Sequence, residues 1–171
     1  MSAAFQSIPL VSLSKWRSSD SDTDRQAFAN ELRDICHNIG FFVLVDHGID
    51  HEFLARYFTM LKTFFALPED VKAQIDKSRS PHFRGWERVG SEYTDNKKDY
   101  REQVDCSTEN EPYPAGSKPD FLVLDGPNQW LPDGVLPEFK PLIQQFHRQM
   151  GELAEELMEI LAIGLDLPGD S

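Results

Sequence analysis

The stretch 37-HNIGFFVLVDHGID-50 crowds His37, His47 and His51 against Asp46 and Asp50. Residues of these types are the raw material of a metal centre. A metal that activates oxygen is commonly held by two histidines and one carboxylate on one face, with positions left open for ligands. The compact half of such a site is His-x-Asp or His-x-Glu on a strand, because alternate residues point the same way. None of the histidines meets that requirement. Two positions beyond His37, His47, His51, His82 and His147 stand Ile39, Ile49, Phe53, Arg84 and Gln149. His47 and His51 have helical spacing, but Gly48 and an expected strand-to-helix turn intervene. No metal ligand is assigned, and the histidines read as loop and cap residues.

Other chemistries fare no better. There is no Gly-x-Ser-x-Gly elbow, and neither Cys36 nor Cys106 has a histidine close by in sequence. No Gly-Lys-Ser/Thr phosphate loop is present. Asp95, Asp99, Glu102 and Asp105 are candidate acid/base groups. On a chain with a formal charge of -12 such a run reads as a solvated face. No catalytic residue and no cofactor-binding residue is assigned.

The elements that would position any chemistry follow from periodicity. The 171 residues suffice for one hydrophobic core, and the hydrophobic share of 40% is that of a globular chain. Ile8–Leu13 is a short β-prone segment. Thr23 and Gln26 have capping-box spacing, and Phe28, Leu32, Ile35 and Ile39 then recur as on a helix that Gly40 stops. The run Phe41–Val45 is too short for a helix and is expected to be a strand buried on both faces. Asp46-His47-Gly48 reads as the turn leaving it, with Gly48 giving backbone freedom and His47 a hydrogen bond. A helix from near Asp50 to about Leu67 carries Phe53, Tyr57, Leu61, Phe64 and Phe65. A short one follows over Pro68–Ile75.

Between 76 and 135 the helical period fades, leaving β-prone pieces at Phe83–Val89 and Gln103–Cys106 and a polar loop over 109–120. Gly126-Pro127-Asn128 is turn chemistry, and Trp130 is expected to pin that loop to the body. A long helix over 137–163 closes the pattern, with Phe139, Leu142, Phe146, Met150, Leu153, Leu157, Ile160 and Leu161 on its apolar face. His147, beside that stripe, is expected to be partly buried and hydrogen-bonded. So few short strands make a poor sheet, so the segment is expected to be part of a larger fold.

Charge and composition exclude several partners. An excess of acid argues against nucleic acid and anionic membrane, and no apolar run approaches the ~20 residues that cross a bilayer. The first residues do not read as a secretory signal, and two cysteines make no disulfide framework. A cytoplasmic location is the expectation.

Six segments, in order, carry a resemblance. Ile8-Pro9-Leu10-Val11-Ser12-Leu13 is similar to an "IPxxDL" strand, 40-GFFVLVDHGI-49 to "GFFxxxNHGI", and 64-FFALPEDVK-72 to "FFxLPxExK". Further on, 84-RGWERVGSE-92 is similar to "RGYxxxGxE", 99-DYREQVDC-106 to "DxKExxD", and 126-GPNQWLP-132 to "GPNxWP". Together they resemble the isopenicillin-N-synthase-like, 2-oxoglutarate- and Fe(II)-dependent dioxygenases.

The resemblance implies an α+β chain, made of the N-terminal helices and short strands of a double-stranded β-helix, or jelly roll, and ending in the long support helix. The whole of 1–171 would be the non-haem dioxygenase N-terminal domain, with most of the barrel absent. In that family a His-x-Asp…His triad holds Fe(II) and an Arg-x-Ser pair holds 2-oxoglutarate, both beyond the long helix. Both cofactors are thus implied for a complete member only, and this chain alone is expected to be inactive. The implied reaction couples oxidative decarboxylation of 2-oxoglutarate to oxidation of a small organic substrate. Arg84 and Trp86, in the stretch similar to "RGY", are the candidate substrate-binding residues. The competing reading makes Arg84 a surface ion pair and Trp86 a packing aromatic. The alternative for the whole chain is a non-enzymatic truncated remnant that binds a partner through its uncovered apolar surface. Under it, the isolated chain is expected to self-associate or to need that partner.

Overall fold

A computed structural model describes residues 7–91 and 93–167, the side chain of Thr94 excepted. The chain is α+β and divides into two compact units, Met1–Ile49 with Gln149–Ser171, and Asp50–Arg148.

In the first unit, β1 (Leu10–Ser12) leads directly into helix α1 (Leu13–Arg17), and α2 (Asp22–Asn38) is followed by β2 (Val43–Val45). The N-cap of α2 is Ser21, whose hydroxyl accepts from the Asp24 N–H, rather than the Thr23 that the sequence pattern offered. Ser21 lies one position before the first helical residue, where a side-chain oxygen meets the free N–H groups; Thr23 is already inside the first turn. Gly40 ends α2, its N–H donating to Ile35 O. β1 and β2 pair in parallel, Leu10 opposite Val43 and Val11 opposite Leu44.

Alternation along the strands sorts these residues. Val11 and Leu44 face a core built with Leu13, Trp16, Phe28, Ala29, Leu32 and Ile160. Leu10 and Val43 are 69% and 43% exposed. The expectation that Phe41–Val45 is buried on both faces is therefore corrected. Among the described residues the strand is three residues long and pairs with β1 alone, which leaves the Val43 face uncovered.

Helix α5 (Phe139–Gly164) contributes its residues from Gln149 onward to this unit. Helix ends leave carbonyls without intrahelical partners, and α2 supplies them here. Gln26 Nε2 donates to Ile163 O at 3.2 Å and Arg33 Nη1 to Gly164 O at 2.9 Å. A Cβ on Gly164 would lie 2.6 Å from Ala29 O, so the close approach of the two helices requires glycine there.

The turn that leaves β2 is a lock. The Ser12 and Ser14 hydroxyls both donate to Asp46 Oδ2. Arg17 reaches the Asp46 and His47 carbonyls from Nη1 and Nη2, each at 3.3 Å. It also grips Glu156 through Nε–Oε1 at 3.0 Å and Nη2–Oε2 at 2.6 Å. The hydrogen bond to Glu156 holds the Arg17 pKa above its usual value. His47 Nδ1 accepts from the Ile49 N–H at 3.1 Å, the local bond expected from the sequence.

In the second unit, α3 (His51–Phe65) is capped by Asp50, whose carboxylate accepts from Glu52 N–H. A short α4 (Glu69–Lys72) runs on into a 3-10 turn at Ala73–Ile75. The region with the faded helical period forms β3 (Gly85–Glu87), a hairpin of β4 (Tyr93–Thr94) and β5 (Lys97–Lys98), and β6 (Gln103–Asp105). β3 pairs antiparallel with β6, Trp86 opposite Val104. Phe64 and Phe139 are fully buried and stack at 4.6 Å, with Trp130 edge-on to Phe139 at 6.0 Å. Trp130 thus pins its loop as expected. His147 corrects its expectation: it is exposed, because it sits past the edge of the apolar stripe that Leu142, Ile143 and Phe146 form.

Gly48 has φ +81, and a Cβ there would stand 2.9 Å from Arg17 Nη1. Replacing Gly48 by Ala is expected to cost about 2 kcal/mol, from the left-handed backbone and the displaced arginine together. The midpoint of urea unfolding measures it, and an unchanged midpoint would contradict the lock.

Candidate functional site

Arg84 and Trp86 flank Gly85 at the start of β3, and the structure sends them to different surroundings. Trp86 is 2% exposed, and its indole N–H donates to Glu102 Oε1 at 2.6 Å. Lys72 also binds Glu102 Oε1, donates to Phe65 O at 3.0 Å, and lies 5.4 Å from the Trp86 ring centroid. A buried ammonium persists only when paired and hydrogen-bonded, and Lys72 has both kinds of partner. Arg84 is half-buried. Its Nη1 donates to His82 O at 2.7 Å and its Nη2 to Leu124 O at 2.9 Å, while its buried Nε has no hydrogen-bond partner.

Beside them runs a seam of side-chain amides. Gln129 Nε2 donates to Asp76 O at 2.9 Å and Arg84 O at 2.7 Å. Asn128, 9% exposed, pairs with Ser107 as a strand would: Oδ1 accepts from its N–H and Nδ2 donates to its carbonyl, both at 2.8 Å. Its Nδ2 also donates to Glu109 Oε2 at 2.8 Å. Gly85 sits where these segments converge. Its φ is +123, and a Cβ would lie 2.3 Å from Ile75 O and 2.5 Å from Gln129 Nε2. His82 Nδ1 stands 2.7 Å from Val123 O, so Nδ1 carries the proton, and a Cβ on Gly126 would lie 2.5 Å from the His82 ring. The motif 126-GPNQW-130 announced a turn in the sequence. What it hid is that Asn128 and Gln129 bind backbone in three other segments.

Across the sheet, Lys77 Nζ bridges Glu87 Oε2 at 2.9 Å and Asp105 Oδ2 at 2.8 Å, and Gln103 Nε2 donates to Glu87 at 2.6 Å. Burial alone would lower the Lys77 pKa, but the bonds to Asp105 and Glu87 outweigh it and the pKa is raised. Glu87 is the mirror case: burial raises it, and Lys77 with Gln103 brings it below its usual value. Asp76 is lowered by the Ser78 hydroxyl and N–H. Burial, and then the nearby Asp105, push the Cys106 thiol up to about 12, so it is no thiolate nucleophile at neutral pH. Among the described residues no group of three or more His, Cys, Asp or Glu could hold a metal ion, so the donors present do not fit an iron centre. No helix among them is long and apolar enough to cross a membrane.

The signs of these shifts give a pH profile. Carboxylates lowered in the folded state, Asp76 and Glu87, stabilise above their usual values of 3.8 and 4.5 and lose that contribution as pH falls through the folded values. Lys77, raised above 10.5, stabilises below that pH and loses its contribution as pH rises through the folded value. Melting temperatures of wild type and Glu87→Gln should therefore differ most between about pH 5 and 10, and the gap should narrow as the pH falls below 4.5 and on through the lowered folded value. A gap that is constant into acid would contradict the ion-pair reading.

Comparison with known proteins places this arrangement. Residues 8–133 match the family model described as non-haem dioxygenase in morphine synthesis N-terminal. A 2-oxoglutarate-dependent dioxygenase of Dothideomycetidae sp. is 32% identical over 98% of this chain and 44% of its own length. A homoarginine-6-hydroxylase of Arabidopsis thaliana is 30% identical over 76% of this chain and 35% of its own length. This chain thus spans less than half the length of these curated relatives. In fold, it superposes on a full-length Neurospora crassa protein, crystallised in complex with alpha-KG, with a TM-score of 0.77 at 24% identity, over 95% of this chain and 48% of that one. The chain belongs to the non-haem dioxygenase N-terminal family, as the N-terminal region of a 2-oxoglutarate/Fe(II) oxygenase.

Proposed function

We propose that this chain is the non-catalytic N-terminal part of a 2-oxoglutarate- and Fe(II)-dependent oxidoreductase that acts on a small organic substrate. The observation that carries the reading is the match over residues 8–133 to a dioxygenase N-terminal model, together with relatives more than twice as long. Iron and 2-oxoglutarate are held by the other half of the enzyme, whose jelly roll the long helix α5 supports. The short strands here are the outlying ones of that fold.

Within this half, the Arg84–Trp86 stretch helps select the substrate. Trp86 acts from the interior, keeping β3 in place through Glu102. Arg84 is the contacting group: two bonds to carbonyls fix the orientation of its guanidinium, and N–H groups beyond those two bonds serve a substrate acceptor.

Calorimetry with residues 1–171 should show no micromolar binding of Fe(II) or 2-oxoglutarate; stoichiometric binding of both would overturn the division. In the full-length protein, which should release succinate from 2-oxoglutarate, Arg84→Ala should lower kcat/KM for the preferred substrate by about tenfold, or about 1.4 kcal/mol. Unchanged preference across a substrate panel would remove Arg84 from the reading.

A further inference from the structure

Phe83 is the anomaly of the second unit. Its φ is +62, a backbone conformation that bulky L residues rarely adopt, and its ring is 62% exposed, so burial does not compensate. Strain of this kind persists where the surroundings over-determine it, and it gathers at ligand clamps. Both neighbours of Phe83 are braced. The His82 N–H donates to Ser80 Oγ at 3.1 Å, and the His82 ring is tied to Val123 O. Arg84 is held to His82 O and Leu124 O, and its own carbonyl accepts from Gln129. The ring itself lies 4.5 Å from Lys77 Nζ and lines a concavity of about 550 Å³ with Asp76, Lys77, Ser78, Glu87 and Arg88. That volume is in the range of small-molecule sites.

We infer that Phe83 is the stacking floor of a binding subsite for a planar, uncharged organic group. The ring offers an exposed aromatic surface. An anionic group is disfavoured because Asp76 and Glu87 line the concavity and Lys77, one of its two cations, is already bridged to Glu87 and to Asp105. A cationic group would meet the Lys77 ammonium already against the ring. Calling the ligand part of the substrate rests on the proposed function; Arg84 is then also the positioning residue that presents Phe83.

The test is saturation-transfer NMR on the full-length protein with two probes, indole and indole-3-acetate. Indole should receive saturation, and the anion about fivefold less. Phe83→Gly should abolish the indole signal while leaving the melting temperature unchanged or higher, because glycine accepts this left-handed backbone without strain. Phe83→Tyr, which keeps the flat ring, should retain the signal. An indole signal that survives Phe83→Gly, equal signals from the two probes, loss of signal in Phe83→Tyr, or a Phe83→Gly protein that melts well below wild type would each overturn the inference. Failure of the protein to release succinate from 2-oxoglutarate would instead overturn the enzymatic reading and leave the indole result standing.

Discussion

A strand of three residues with one ladder partner leaves backbone groups on its other side that must still find hydrogen bonds. That constraint governs the second unit. Among the described residues β3 has a full strand partner, β6, on one side only. On the other, Trp86 forms an isolated parallel bridge with Asp76; Gln129 gathers the carbonyls of Asp76 and Arg84 with a single side-chain nitrogen, and Asn128 pairs with the backbone of Ser107. Buried carbonyls left unpaired would each carry a full desolvation penalty. Two adjacent amides thus tie the segments around that bridge together, and Gly85 is glycine because Ile75 O and Gln129 Nε2 come that close.

Electrostatics follows the same economy of means. The chain is strongly acidic, yet two buried or half-buried cations, Lys72 and Lys77, and the exposed Arg17 each hold a carboxylate that lies within a structural joint. Lys72 holds Glu102 beneath Trp86, Lys77 holds Glu87 and Asp105 across the β3–β6 pair, and Arg17 holds Glu156 beside the Asp46 turn. These pairs fix which carboxylates are structural. The remaining acidic residues can then dress the surface without disturbing the joints.

Much of this was legible in the sequence. Helical spacing marks α2, α3 and α5, Asp50 and Gly40 mark a start and an end, and β-prone composition marks the pieces around Trp86 and Val104, though not their pairing. The six ordered segments carried the family. What stayed hidden depends on distance in the chain rather than local pattern. Nothing near Gln129 says that its partners lie at Asp76 and Arg84, and nothing near Lys72 points to Glu102. The open face of Phe41–Val45 is not legible because a run of apolar residues reports hydrophobicity, not which face a neighbouring strand will cover. The exposure of His147 is not legible from its neighbour Phe146 because one step in sequence turns a helix by about 100°, enough to leave the apolar face. Asp46, His47 and Gly48 looked like chemistry and are a joint.

The tryptophans acquire a practical meaning from where they lie. The sequence contains three. Trp16 is buried in the core that Leu13 and Phe28 share, while Trp86 is buried beside Lys72 and Glu102 in the other unit, with Trp130 near Phe139. Each compact unit therefore has its own intrinsic fluorophore, and the indole N–H of Trp86 bound to a carboxylate gives it surroundings that Trp16 lacks. Single-tryptophan versions of the protein would give each unit a separate optical signal, so that whether the two melt together or in sequence becomes a matter of comparing two emission spectra.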